Sequence, residues 1–379
     1  MKAYHICYHT DEDGLAAAGV IYEYLKKYNK IINEYKIRYF FYEIDYTMDL
    51  KTVLPPNIPA GDELYFVDYS FSNVDNLKYI LDLKDITVVW IDHHKTSLDI
   101  VESMRSDLYK RINFRYYINT NYCGAYLAYV YAFLKLKGYC DYELFTTFDA
   151  YVNSLSNEIP LYIKYVDSWD TWKHDMPNTT EFNIGARSEH RTPRSLFGNM
   201  FKFNGKIIDK LFSDNEKDME IVFSYMKKYI DKIISKGKVI KAYQDIENES
   251  ICNDYGFSFN IIDCTNGGRK LYNCFAVNKR GSSTMFGDRV NEYDVVIPFQ
   301  FNGKQYKYSL FTTKDNVDCE SLAKKFGSID GLGGGGHAKA AGFQTYDQLI
   351  KDGHDIYITN KLLNKNQYKV KSIPWVPWN

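Results

Sequence analysis

Strand-like and helix-like segments alternate through the first 95 residues, and this alternation limits the fold more than any other feature of the sequence. Short apolar runs predict strands, and helical patterns lie between them. The predicted strands are Ala3–Tyr8, Lys36–Phe41, Leu64–Val67 and Ile86–Ile91, and the predicted helices are Leu15–Lys27 and Val74–Leu83. Such alternation is typical of a parallel sheet covered by helices, so the sequence predicts an α/β fold.

The later part of the chain has a different pattern. Helices are predicted at Cys123–Lys137 and Glu143–Ile163, and a long charged, periodic stretch at Asp218–Glu249 predicts a helix that joins two domains. Short strands return between residues 257 and 311, and a helix at Cys319–Phe326 leads into a glycine-rich loop. A chain of 379 residues is usually too long for one core, so two domains are expected.

The predicted boundaries follow from these changes of pattern. Residues 1–185 form an N-terminal parallel-sheet domain, residues 186–249 a helical linker region, and residues 250–347 a smaller C-terminal α/β domain. Residues 348–379 form a tail that ends in PWVPWN, where two prolines oppose regular structure.

Charge and cysteine content narrow the choice of partners and compartment. The chain has 47 basic and 48 acidic residues, so a basic face for long duplex nucleic acid is not expected. Seven dispersed cysteines favour reduced thiols in the cytoplasm. The N-terminal MKAYHICYHT lacks a signal-peptide pattern, and no apolar run is long enough for a membrane span. The sequence leaves a homodimer open.

Acidic and histidine residues follow three of the predicted strands. They occur as the segment HTDEDG from His9, as Asp68, and as the segment DHH from Asp92, while VDSWD adds Asp167 and Asp170. Carboxyl ends of parallel strands meet at one edge of the sheet, where unpaired carboxylates would repel one another. Two divalent metal ions would resolve that repulsion, and oxygen with imidazole ligands suits manganese, iron or zinc.

Each of these segments also has an ordinary structural explanation. Asp11 and Asp13 could cap the following helix, Asp68 could be a turn residue, and His9 could be a buried, hydrogen-bonded histidine. The triplet from Asp92 could lie in a surface turn. Their joint occurrence, each after a strand, favours the metal site.

Five segments together resemble a known family. HTDEDG, FVDYS, IDHH and VDSWDTW resemble the four motifs of the DHH phosphoesterase superfamily, and FGSIDGLGGGGHAKAAGF resembles the glycine-rich signature of the C-terminal substrate-binding domain of many members. The resemblance implies that residues 1–185 are a DHH catalytic domain and residues 250–347 the substrate-binding domain, as in nanoRNase-like and RecJ-like proteins.

The resemblance also implies roles for single residues. One metal would be bound by His9, Asp11 and Asp68, and the other by Asp13, His93 and Asp167, with Asp68 bridging. His94 would face the substrate phosphate, and Asp92 would orient its neighbours in catalysis. Two Mn²⁺ ions are expected, with Mg²⁺ or Co²⁺ as substitutes.

The sequence departs from the family pattern at three places. The fourth motif has Asp167 and Asp170 separated by two residues instead of one, so Asp170 is an alternative to Asp167 as the ligand. Cys123 replaces a serine that often precedes the Gly-Ala pair. Phe311 replaces an arginine, and it would either stack on a base or pack in the domain core.

The glycine-rich segment has two interpretations. A flexible linker is one of them, but His337 and a run of small residues follow at once. Exposed backbone amides also bind anions, and the resemblance favours substrate binding. The predicted binding residues are Gly333, Gly334, Gly335, Gly336 and His337.

The function that these features favour is metal-dependent hydrolysis of phosphodiester or phosphate bonds in dinucleotides, short oligonucleotides or small nucleotides. A RecJ-like single-strand exonuclease is an alternative, but long substrates favour a basic groove, which the neutral charge does not predict. A catalytically inactive nucleotide sensor is a third option, which loss of a metal ligand would signal.

Overall fold

The computed structural model describes residues 2–34, 36–46, 48–71, 74–189, 191–200, 210–213, 215–265 and 267–363. The chain divides into two compact units, Met1–Ile240 and Lys241–Asn379. The proline-containing end of the predicted tail, PWVPWN, lies outside the described residues. No described helix is both long and apolar enough to cross a lipid bilayer.

The first unit contains a five-stranded parallel sheet with the strand order β2-β1-β3-β4-β5. Its strands are β1 (Lys2–His9), β2 (Ile37–Ile44), β3 (Glu63–Val67), β4 (Thr87–Asp92) and β5 (Phe114–Ile118). The register aligns Tyr8 with Val67 and Val67 with Ile91. The carboxyl ends of β1, β3 and β4 therefore lie side by side, as the sequence predicts.

Helices cover both faces of this sheet. They are α1 (Glu12–Ile31), α2 (Leu50–Val53), α3 (Val74–Leu81), α4 (Lys95–Tyr109), α5 (Gly124–Leu136), α6 (Asp141–Ser154), α7 (Leu161–Asp170), α8 (Thr179–Arg187), α9 (Leu196–Met200) and α10 (Glu216–Tyr255), which continues into the second unit. Successive residues of a strand point to opposite faces of the sheet and pack into two separate cores. Val89 packs with α1 and α5 on one face, and Trp90 packs in the core on the other face. Burial on both faces explains why the central strands β3 and β4 are mostly apolar.

The predicted helix at Glu143–Ile163 is wrong in one respect, because the structure has two helices there. The first, α6, ends at Ser154, and the second, α7, begins at Leu161 after Pro160. Proline has no backbone N–H and disfavours helical geometry in the residue before it. The break matters for the site because it lets α7 take its own direction.

The second unit contains a seven-stranded mixed sheet with the order β10-β11-β9-β8-β7-β6-β12. Its strands are β6 (Phe257–Asp263), β7 (Lys270–Val277), β8 (Val295–Phe301), β9 (Tyr306–Phe311), β10 (Gly334–Gly336), β11 (Ala340–Thr345) and β12 (Ile356–Ile358). Its described helices are a 3₁₀ turn at Ser283–Phe286 and the α-helices α11 (Arg289–Glu292), α12 (Cys319–Ser328) and α13 (Asn360–Leu363). The α/β fold class is confirmed in both units.

Candidate metal centre

Acidic and histidine side chains converge at the carboxyl edge of the first sheet. Three overlapping groups have potential ligand atoms within 4.8 Å of one another: His9 with Asp11 and Asp68, Asp13 with His93 and Asp170, and Asp68 with Asp92, His93 and His94. Asp68 and His93 each belong to two groups. Eight side chains from three strand ends and α7 thus form one cluster. All eight lie in the motif segments; seven are among the predicted metal and catalytic residues, and Asp170 is the alternative to Asp167.

Asp68 is the centre of this cluster and the least satisfied of its members. It is 1% exposed, and neither carboxylate oxygen has a hydrogen-bond partner among the described residues. Its Oδ1 lies 3.1 Å from His93 Nε2, and its Oδ2 lies 3.8 Å from His9 Nδ1. Burial, followed by the charges of Asp13 and Asp11, raises the pKa of Asp68 well above its ordinary value. A buried carboxylate without a hydrogen-bond donor is costly, and cations on both sides of it would remove that cost.

The backbone at Asp68 is also unusual. Its φ angle is 53°, in the left-handed region that non-glycine residues rarely adopt. Strain of this kind persists only where the surrounding structure enforces it, and it concentrates at functional sites. Here it turns the carboxylate of Asp68 toward His9 and His93 directly after β3.

Asp11 caps α1 and also lies in one of the candidate ligand groups. Its Oδ1 accepts a hydrogen bond of 2.9 Å from the Gly14 amide and so caps α1, and its Oδ2 lies 2.8 Å from His9 Nδ1. Helix capping and metal binding are therefore compatible at this position, because each uses a different oxygen.

Asp13 is held by the N-terminus of α5. Its two oxygens accept hydrogen bonds of 2.6 Å from the Gly124 amide and 2.7 Å from the Ala125 amide. A Cβ atom on Gly124 would lie 2.7 Å from Cβ of Asp68, so only glycine permits this approach. Burial, and then the charge of Asp11, nevertheless raises the pKa of Asp13 to about 7. The sequence identifies Asp13, but it does not indicate these amide contacts.

The structure separates the two aspartates of the fourth motif. Asp170 Oδ2 lies 3.2 Å from His93 Nε2, within the cluster. Asp167 instead accepts a hydrogen bond of 2.7 Å from the Cys123 amide and pairs with Lys173 at 2.7 Å. The geometry favours Asp170 over the predicted Asp167 as a ligand, because one oxygen of Asp167 accepts from the Cys123 amide and the other pairs with Lys173. Asp167 thus contacts the backbone just before α5 and lies outside the three candidate ligand groups.

His94 lies within a hydrogen-bonded chain that runs from Ser97 through Asp92 to Tyr46. Its Nδ1 donates to Asp92 Oδ1 over 2.8 Å, and the other oxygen of Asp92 accepts from the Ser97 hydroxyl. Although burial opposes the charged form, the Asp92 carboxylate raises the pKa of His94 to about 9. On its other side, His94 Nε2 lies 3.1 Å from the hydroxyl of Tyr46. The contact with Asp92 therefore fixes the orientation of the His94 ring.

Tyr46 is a site residue that the sequence analysis misses. Tyr46 follows β2, which neighbours β1 in the sheet. Functional groups lie at the carboxyl ends of parallel strands, so a correct prediction of where β2 ends would have identified this residue. The predicted strand stops at Phe41, whereas β2 continues to Ile44, and the misplaced end hides Tyr46. Its ring stacks on Tyr69 with a centroid distance of 5.5 Å, which positions the hydroxyl beside His94.

The predicted glycine-rich segment lies in the second unit. Gly334–Gly336 form strand β10, which pairs with Ala341–Phe343 of β11 at one edge of the sheet. A Cβ on Gly334 would lie 2.1 Å from the Ala323 carbonyl oxygen, whereas a Cβ on Gly335 would meet no atom within 4 Å. The His337 amide donates to the Ala340 carbonyl. The segment is thus an ordered edge strand, and it does not have the structure of a flexible linker.

Comparisons with known proteins agree with the sequence motifs. Residues 4–149 match the model of the DHH family, N-terminal domain, which confirms the resemblance to that superfamily. No curated protein matches the chain.

Solved structures that resemble this chain come from several proteins. An uncharacterized protein from Helicobacter pylori G27 is 16% identical, with 93% of this chain and 95% of that chain covered and a TM-score of 0.34. The pGpG-specific phosphodiesterase PggH from Vibrio cholerae is 12% identical, with coverage of 90% and 93% and a TM-score of 0.39. RecJ from Thermus thermophilus in complex with Mn²⁺ is 11% identical, with coverage of 94% and 53% and a TM-score of 0.41.

Proposed function

We propose that this chain, whose residues 4–149 match the model of the DHH family, N-terminal domain, is a phosphoesterase of the DHH superfamily. Its proposed reaction is the hydrolysis of phosphodiester bonds in dinucleotides and short oligonucleotides with two divalent metal ions. The observation that carries this proposal is the buried Asp68 carboxylate, which lies between two groups of ligands and has no hydrogen-bond donor of its own among the described residues. A carboxylate in that position suits a bridge between two ions.

Two ligand sets are proposed. His9, Asp11 and Asp68 would hold one ion, and Asp13, His93 and Asp170 would hold the other, with Asp68 able to contribute to both. Carboxylate and imidazole ligands without cysteine suit Mn²⁺, with Mg²⁺ or Co²⁺ as substitutes. Bound ions supply the positive charge that activates a water molecule and stabilises the phosphoryl group.

The remaining polar residues act on the substrate. A charged His94, held by Asp92, donates its Nε2–H to a phosphate oxygen in place of Tyr46. Gly333, Gly334, Gly335, Gly336 and His337 supply backbone amides and an imidazole to the nucleotide, which is their proposed role in the second unit. A net charge of −1 fits a short substrate that relies on metal ions to bind its phosphates. The unpaired state of all seven cysteines suits the cytoplasm.

A substrate panel tests the proposal. Dinucleotides, oligomers of increasing length, a long single strand and inorganic pyrophosphate are incubated with Mn²⁺, and products are resolved chromatographically. We expect rapid cleavage of dinucleotides and short oligomers, and complete loss of activity with EDTA that Mn²⁺ restores. Faster cleavage of the long strand would favour the exonuclease. Binding of nucleotides without cleavage of any substrate would favour the inactive sensor.

A further inference from the structure

A groove of about 560 Å³ lies at the edge of the sheet in the first unit. Strand β5 is the last strand of that sheet, and helices α4 and α6 pack into the cores on its opposite faces. The groove lies where these two helices meet β5, and its described lining consists of Arg105, Ser106, Lys110, Tyr116 and Phe145. Sites that bind small organic ligands usually have volumes of about 300–1,000 Å³, so the groove has room for such a ligand.

The groove is separate from the candidate metal centre. Helix α4 begins at Lys95, directly after His94, and Arg105 lies about ten residues further along the helix. At 1.5 Å per residue, this corresponds to roughly 15 Å along the helix axis. The three candidate ligand groups and the described lining of the groove have no residue in common. A ligand in the groove would therefore occupy a site of its own.

Two aromatic rings form one wall of the groove. On α6, Leu144 and Phe148 are four residues apart and pack in the same core as Tyr117. Phe145 lies on another face of the helix and is 38% exposed. Its ring meets the ring of Tyr116 at 88°, with a centroid distance of 5.1 Å. This contact holds the Phe145 ring in place while part of it stays open to solvent, and such a ring can stack on a nucleobase.

The charged side chains of the groove favour an anionic ligand. Among the described lining residues, Arg105 and Lys110 are cations and none is a carboxylate. Burial raises the pKa of Tyr116, and the charge of Arg105 opposes that rise, so the guanidinium lies close to the Tyr116 phenol. Two cations and the Ser106 hydroxyl beside aromatic rings suit a phosphate group joined to a base.

A neighbouring groove of about 500 Å³ has a different composition. Lys110 lines both grooves, but in the second one Asp82 and Asp107 lie among the cations, and no aromatic ring is present among its described lining residues. The carboxylates would repel a phosphate, and no ring is available to stack on a base. Of the two grooves, the one beside Phe145 therefore matches a nucleotide.

We propose that this groove is a second nucleotide-binding site, in which Phe145 stacks on the base of a nucleoside phosphate and Arg105 and Lys110 bind its phosphate. The planar guanidinium of Arg105 donates paired hydrogen bonds to phosphate oxygens, and Lys110 adds a point charge. A free mononucleotide and one unit of a single-stranded oligonucleotide offer this same chemistry. Because no candidate metal ligand lines the groove, binding there needs no metal ion and does not depend on the proposed reaction.

Calorimetric titrations of the full chain in EDTA test the site without cleavage. The probes are AMP, adenosine, inorganic phosphate and pentaadenylate. We expect AMP to bind more tightly than adenosine or phosphate, because stacking and charge pairing act together on one molecule. Tighter binding of pentaadenylate than of AMP would identify the ligand as part of an oligonucleotide, whereas equal affinities would identify a free mononucleotide. Both results support the site, provided that the variants below weaken the binding.

Matched variants separate the proposed contacts from packing. Phe145→Leu keeps an apolar side chain but loses the aromatic face, and it should weaken AMP binding by about fivefold to a hundredfold. Phe145→Trp keeps an aromatic face and should retain the affinity. Arg105→Ala should weaken AMP binding by about tenfold to a hundredfold, the usual effect of losing hydrogen bonds between charged groups. Lys78→Ala is the control, because it removes a cation from the neighbouring groove only.

The outcomes that would overturn the site are specific. Unchanged AMP affinity in both Phe145→Leu and Arg105→Ala would do so, as would the absence of AMP and pentaadenylate binding by the wild type. If Gly335→Ala abolished AMP binding and Phe145→Leu did not, the nucleotide would bind at β10 of the second unit instead. Cleavage of dinucleotides in Mn²⁺ is measured separately. Failure of the groove therefore leaves the proposed function intact, and absence of cleavage leaves the groove intact.

Discussion

The carboxyl edge of the first sheet and the glycine strand β10 of the second unit are both proposed to contact the substrate, but they are built in opposite ways. The first concentrates buried acidic and imidazole side chains, and its central carboxylate lacks a hydrogen-bond donor among the described residues. The second has no side chains at all over Gly334–Gly336 and offers backbone groups at a sheet edge. Charge therefore controls the first region and steric fit the second, so substitutions in the two regions should have different kinetic effects.

The largest effect is expected for Asp68→Asn. Asparagine keeps the shape and tolerates the positive φ angle, but it loses the charge that two metal ions would share. Loss of a residue that only orients a metal ligand typically costs about 10–100-fold. We expect the kcat/KM of Asp68→Asn to fall by more than this. In metal-free buffer the melting temperature should rise, because repulsion by Asp13 and Asp11 is removed.

The control for Asp68→Asn is Asp107→Asn, which changes an exposed aspartate of the same unit. Activity is measured with Mn²⁺, and unfolding is followed with and without EDTA. Mn²⁺ should raise the melting temperature of the wild type and of Asp107→Asn. The rise should be much smaller for Asp68→Asn. Full turnover by Asp68→Asn would reject the metal site.

The next largest effect distinguishes Asp170 from Asp167. Asp170→Asn removes a proposed ligand beside His93 and should weaken Mn²⁺ binding by about a hundredfold, whereas Asp167→Asn loses a supporting contact and should weaken it by about tenfold. Isothermal titration with Mn²⁺ measures both variants. The opposite ranking would return the assignment to Asp167.

Two neighbouring glycines test the second region. Gly334→Ala places a methyl group against the Ala323 carbonyl and should reduce the free energy of unfolding by about 1–3 kcal/mol. Gly335→Ala meets no atom, so it should leave stability unchanged. If the strand binds substrate, Gly335→Ala should raise KM by up to about tenfold without lowering kcat. An unchanged KM in this variant would show that β10 does not contact the substrate.

The smallest effect is expected for Tyr46→Phe. This change removes the hydroxyl beside His94 and keeps the ring that stacks on Tyr69. Loss of one such hydrogen bond should lower kcat/KM by about two- to tenfold. Tyr142→Phe, at a position 75% exposed in the same unit, is the control. If both variants match the wild type, Tyr46 does not help to position His94.

Much of the fold follows from the order of apolar runs and turns. The strand–helix alternation predicts the parallel sheet, and the strands of the second unit at Phe257–Asp263 and Tyr306–Phe311 are also found. Strand β5 is missed, because FRYYI has too few aliphatic residues to stand out as an apolar run. The break before Leu161 is missed as well, although Pro160 marks it in the sequence.

The sequence by itself determined which residue types stand at the strand ends, because parallel strands bring their carboxyl ends to one edge wherever the helices between them pack. It could not decide between Asp167 and Asp170, since both lie on α7 within one turn and only the packing of α7 against α5 sets which carboxylate reaches His93. Nor could it reveal the groove beside Phe145, whose walls come from α4, β5 and α6. Contacts between segments so distant in the chain depend on tertiary packing, which local residue patterns do not encode.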